Sequence, residues 1–109
     1  MKWMDHINKE GLEQYLINGA YIRGLKMPHG TIIRSQHWIV PRLWIVTYGD
    51  FTFYNETTET RLKGPLTYTP PLGTIELITH QDTQIFAITG TVAENLNEVA
   101  SEVIKWHGE

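Results

Sequence analysis

The chain has 109 residues and a formal net charge of -3, with 9 Lys+Arg against 12 Asp+Glu, no cysteine, 41% hydrophobic and 19% charged residues. That is enough chain for one buried core and too little for two, too apolar for disorder, and without a basic run it excludes a non-specific binder of nucleic-acid phosphates. The lack of cysteine excludes a disulfide framework, thiolate metal sites and a cysteine nucleophile.

The opening MKWMDHINKE contains no apolar run of signal-peptide length. Nowhere does the chain approach the roughly 18 consecutive apolar residues of a membrane span, so a cytoplasmic protein with no membrane partner is expected. Residues 9–18 (KEGLEQYLIN) read as a short helix, capped by Asn8 and ended by Gly19, with Gly11 weakening it. From Ala20 the signal changes to short β-type runs: AYIRGL, TIIRSQHWIV, RLWIVTY, FTFYN, ETRLK, LTYT, TIELIT and QIFAIT. Separated by Gly, Pro, Asp and Asn, such runs predict an all-β barrel or sandwich over about residues 20–90.

The punctuation is specific. Pro28-His29-Gly30 and Pro70-Pro71-Leu72-Gly73 are turns with φ fixed at proline and permissive at glycine. Tyr48-Gly49-Asp50-Phe51 reads as a two-residue hairpin joining RLWIVTY to FTFYN. Alternation within RLWIVTY puts Arg42, Trp44, Val46 and Tyr48 on one face and Leu43, Ile45 and Thr47 on the other, as in a strand with a barrel interior on one side and a second layer on the other. At the end, Thr91 to Glu94 has capping-box spacing. Leu96, Val99, Ala100 and Val103 then form an apolar stripe, predicting an amphipathic helix over about 92–106 that packs outside the barrel or forms a dimer contact.

These spacings resemble the cupins, small antiparallel barrels of jelly-roll type. In the first cupin motif Gly30 leads, Ser35-Gln36-His37 stands in the His-x-His position, Arg42 replaces the expected Glu, and Gly49 closes. In the second, Gly64 leads to Pro71-Leu72-Gly73, with Glu76 in the His position and His80 in the Asn position. The layout Gly19-Ala20-Tyr21-Ile22-Arg23, Pro28-His29-Gly30-Thr31, Gly64-Pro65 and Pro70-Pro71-Leu72-Gly73-Thr74 also resembles small cupin-like proteins of tailed bacteriophages. The resemblance implies a single cupin-like jelly-roll β-barrel domain over residues 1–109 and, for a phage-encoded chain, a location in the host cytoplasm.

In cupins the resemblance implies a metal held by three imidazoles and a carboxylate. Here those positions read Ser35, His37, Arg42 and Glu76. Only His37 and Glu76 are candidate metal ligands, and a permanent guanidinium opposes a divalent ion, so a degenerate site without a cofactor is expected. Two uses of Arg42 stay open: a structural ion pair with Glu76 across the barrel mouth, or a planar donor fork for a carboxylate or phosphate. The second makes His37, Arg42, Trp44, Tyr48 and Glu76 a ligand-binding pocket for an anionic small molecule, with Trp38 close by. No nucleophile motif surrounds Ser35 or Ser101, and His29 and His80 are expected on loops or the rim. The leading expectation is a non-enzymatic small-molecule-binding or accessory protein of phage type with no catalytic residues. The alternatives are an oligomeric component, with a dimer expected, that uses the barrel as scaffold, and a metal-dependent cupin enzyme.

Overall fold

The computed structural model describes residues 4–9, 12–17, 19–35, 37–56, 58–91, 95, 96, 98 and 104–105. Among the described residues twelve strands run in chain order: β1 (Met4–Lys9), β2 (Leu12–Ile17), β3 (Ala20–Met27), β4 (Ile32–Arg34), β5 (His37–Trp38), β6 (Leu43–Tyr48), β7 (Asp50–Tyr54), β8 (Glu59–Lys63), β9 (Leu66–Tyr68), β10 (Glu76–Thr79), β11 (Thr83–Gly90) and β12 (Ile104–Lys105). All the pairings are antiparallel. Six strands form one sheet in the order β1-β2-β3-β11-β6-β9, four form a second in the order β4-β10-β7-β8, and β12 pairs with β5. Each of the eight β-type runs read from the sequence contains a strand, and β11 shows why: Thr83, Ile85, Ala87 and Thr89 are buried while Gln84, Phe86 and Ile88 are only partly so.

The two sheets close on a shared core. Met27 and Ile85 from the first sheet meet Phe51, Phe53, Ile75 and Leu77 from the side of the second, around Trp44 and Val46. Trp44 sits edge-on to Phe53 with ring centres 5.5 Å apart and to Phe51 at 5.9 Å, a geometry that adds to burial itself. A smaller cluster of Leu16, Tyr21 and Trp38, with Val40 and Leu96 against it, lies at the end of the barrel where β6 begins.

Three expectations change. The predicted helix at 9–18 is replaced by β2, hydrogen-bonded between β1 and β3. LEQYLI alternates as well as it turns, and Ile17 pairs with Ala20 across the two strands. Asn-Gly is a strong two-residue hairpin signal, and Gly19 has the positive φ of 90° that such a turn needs. The Tyr48-Gly49-Asp50-Phe51 hairpin is also corrected: Tyr48 pairs with Gln84 in the first sheet and Asp50 with Lys63 in the second, so Gly49 is a corner between sheets. At φ 129° and packed so closely that a Cβ would collide with the Thr83 side chain, only glycine fits that corner. Third, the face of β6 opposite the core is not sealed by a second layer, as Leu43 is 40% exposed.

Most of the predicted C-terminal helix lies outside the described residues. Leu96 and Glu98 have helical geometry, no complete helix is delimited among the described residues, and Ile104–Lys105 is a strand rather than the helix end. The turns at Gly30 and Gly73 stand as predicted, with φ 81° and 94°. In the first, Thr31 N–H donates to Pro28 O at 3.3 Å, closing the turn with Gly30 at its third position. No helix among the described residues is long and apolar enough to cross a membrane.

Candidate functional site

Strand alternation aims a definite set of side chains between the sheets. In the first sheet the register runs Leu25↔Ile85↔Val46 and, one step nearer the open end, Arg23↔Ala87↔Trp44. Arg42, two residues before Trp44, continues the same face. From the second sheet's side come Ile33, Ser35, Ile75 and Leu77. Ala87 carries only a methyl group where its neighbours carry large side chains, and around it a cavity of about 310 Å³ remains open. Arg34 and Trp38 border both this cavity and a broader outer groove of about 910 Å³, so those two side chains stand between the interior and the outside.

Arg42 is the unusual member. Its side chain is buried, at 3% relative exposure. Its guanidinium lies 4.6 Å from the ring centre of Trp38 and 5.6 Å from that of Trp44, an aromatic cradle suited to a cation. Among the described residues its one hydrogen bond is long, from Nη1 to Pro71 O at 3.4 Å. Among the described residues neither Arg42 nor Arg23 has a carboxylate at ion-pair distance. Burial pulls the Arg42 pKa down to about 10. No fully buried polar side-chain atom among the described residues lacks a partner, and Arg42 is among the residues that line the cavity. Arg23 is tied more loosely, its Nη1 donating to Tyr21 Oη at 3.3 Å, while that hydroxyl donates to Gln14 Oε1 at 2.7 Å.

The predicted site residues divide. Arg42 and Trp44 line the cavity together, with Trp38, and so does Ser35, whose Oγ accepts from Ile75 N–H at 3.0 Å. Glu76 does not: alternation buries Leu77 and Thr79 and turns Glu76 outward, where it pairs with Arg34 at 3.1 Å, the two side chains 65% and 56% exposed. The expected Arg42–Glu76 ion pair is therefore corrected to Arg34–Glu76. Tyr48 is 44% exposed at the opposite end of β6 and borders neither cavity nor groove. His37 lies on β5, paired with Lys105, and its side chain is outside what is described. Arg23 and Ala87 were missed, although Tyr21, Arg23, Leu25 and Met27 share one strand face in the sequence itself.

Among the described residues this lining offers a divalent metal no carboxylate or imidazole ligand. The cavity is bordered by three guanidinium groups, one hydroxyl, two indoles and aliphatic side chains. Among the described residues no three His, Asp or Glu side chains converge. Glu76, one of the two candidate ligands, faces the wrong way.

At the other end of the barrel the charges are satisfied. Arg61 Nε and Nη2 each donate to the Asp50 carboxylate at 2.9 Å. Those bonds, against an opposing push from burial, hold Asp50 below its ordinary pKa, with the charges of Arg61, His80 and Lys63 adding. His80, expected on the rim, is exposed there, its Nε2 2.8 Å from Thr52 Oγ1 and its N–H bonded to Asp50 O. His29 is exposed in the Pro28 turn.

No protein-family model matches the chain, and no curated protein matches it. Solved structures do. An RmlC-like cupin with a double-stranded β-helix fold from Methanocaldococcus jannaschii aligns over 89% of this chain and 98% of its own, at 14% identity and a TM-score of 0.63. KdgF from Halomonas sp. aligns over 83% and 90%, at 15% identity and 0.57. A salicylate 1,2-dioxygenase variant from Pseudoaminobacter salicylatoxidans aligns over 86% of this chain and 27% of its own, at 14% identity and 0.64. At such identities the likeness establishes the fold and leaves the chemistry to the site.

Proposed function

We propose that this chain, which has the cupin double-stranded β-helix fold, is a non-enzymatic binding protein that holds a small organic anion inside the barrel. The observation that carries the reading is Arg42, a buried guanidinium that lines the cavity, cradled by Trp38 and Trp44, with no carboxylate at ion-pair distance among the described residues. A buried cation without a partner destabilises a fold by several kcal/mol in order of magnitude, so such a group is sustained by what it binds. Arginine suits the role because its planar fork grips a carboxylate or phosphate by two parallel bonds. A purely scaffolding barrel would have a filled interior, and the space around Ala87 speaks for a ligand.

The reading is tested by thermal shift with a panel of organic anions on the wild type and on Arg42→Ala. A ligand at about 100 times its Kd stabilises by about 2.7 kcal/mol. Stabilisation of the wild type and its loss in a folded Arg42→Ala variant are expected. A panel in which no anion moves the wild-type midpoint contradicts the reading.

A further inference from the structure

We infer that the ligand is an amphiphilic monocarboxylate, its carboxylate held by Arg42 together with Arg23 and its compact aryl or branched aliphatic body laid over Ala87 against the core. The inference rests on the anion-binding reading above and adds the second arginine, the number of charges and the direction in which the molecule lies.

Arg23 and Trp44 flank Ala87 in one cross-strand row, and Arg42 follows Trp44 on the same face. Both guanidinium groups therefore belong to the end of the cavity nearer the start of β6. One row deeper the first sheet offers Leu25 and Ile85, and the facing wall offers Ile33, Ile75 and Leu77. The cavity thus has one cationic end and one hydrocarbon end. A ligand with a single charged head meets both, whereas a second carboxylate, or a polar sugar, would put unsatisfied groups against isoleucine and leucine.

One carboxylate can take donors from both arginines, and Arg34, the third guanidinium on the lining, is already paired with Glu76. Arg23 already spends one donor on Tyr21, leaving Arg42 as the principal fork and Arg23 as a second contact to the same carboxylate. Size sets the rest: about 310 Å³ is room for roughly ten water-sized groups at about 30 Å³ each. A benzene ring or a branched chain of several carbons, with its carboxylate, fills that space. The Ala87 methyl group is what leaves the space open, so it determines which bodies are admitted.

Calorimetric titration with phenylacetate and isovalerate, against acetate, malonate and inorganic phosphate, tests the inference. Phenylacetate or isovalerate should bind at least tenfold more tightly than acetate, since burying a side-chain-sized apolar group contributes on that scale. Arg23→Gln should weaken binding about tenfold, and Ala87→Leu should abolish it while keeping both arginines. Should Ala87→Leu fail to fold, NOEs from the phenyl protons to the Ala87 and Ile85 methyl groups of the wild type decide the same point, and their absence overturns the placement. Malonate or phosphate binding as tightly as phenylacetate, with sensitivity to Arg42, overturns the inference and leaves the anion reading standing. Silence from every anion, confirmed by thermal shift, overturns both.

Discussion

The two ends of the barrel use the same side chain in opposite ways. Arg61 lies mostly in solvent and grips a buried carboxylate with two 2.9 Å bonds. Arg42, about 20 Å away along β6 at the usual strand rise, is buried itself and meets two indoles and one long carbonyl contact. At the first end the charge closes the corner where the chain passes from one sheet to the other at Gly49. At the second end the charge meets the Pro71 carbonyl and two indoles, with no counter-charge among the described residues. An exposed arginine paired with a buried carboxylate is a brace, whereas the buried Arg42, with no carboxylate at ion-pair distance among the described residues, is the group on which the proposed binding rests.

Breaking the core that both ends share gives the largest effect. Phe53→Ala should cost about 3–5 kcal/mol in urea unfolding, because a fully buried ring is lost between Trp44 and Tyr68. A smaller loss is expected for Asp50→Asn, which weakens the Arg61 clamp, lowering the melting temperature while leaving anion binding at the other end intact. The same clamp has a pH signature. Asp50 has a folded pKa below its unfolded value, so it adds stability above about pH 4, and this is lost as pH falls through the folded pKa. Acid unfolding should therefore shift to higher pH in an Arg61→Met variant, and an unchanged acid midpoint would count against the clamp. Smallest is Glu76→Gln, which removes only an exposed pair: a change within about 0.5 kcal/mol and an unaltered anion response are expected. A lost response would return Glu76 to the binding site.

Much of this was legible in the chain. The eight β-runs, the Pro28 and Pro70 turns, and the inward face of Arg42, Trp44 and Val46 all follow from period-two alternation and turn chemistry. The N-terminal hairpin escaped because apolar spacing in LEQYLI suits either period, and Asn18-Gly19 was the deciding signal. Glu76 was assigned inward by counting along a motif, while the alternation Ile75, Leu77, Thr79 already turned it outward. Arg23 was hidden for a different reason: its place beside Ala87 and Trp44 depends on pairing between β3 and β11, strands some sixty residues apart, which no local pattern encodes.

The proposed binding role requires that Arg42 is buried for a ligand and at a cost to the fold. The lowering from 12.5 to about 10 corresponds to a cost of about 3 kcal/mol, present throughout neutral pH and relieved only as pH rises from about 10 towards 12.5. Lost indole contacts offset part of the gain when the charge is removed. Urea unfolding of ligand-free wild type and Arg42→Met at pH 7 measures it directly. A variant more stable by about 1–2 kcal/mol with an unchanged m-value is expected; a variant as stable as the wild type, or less so, would make Arg42 a structural brace and contradict the binding role.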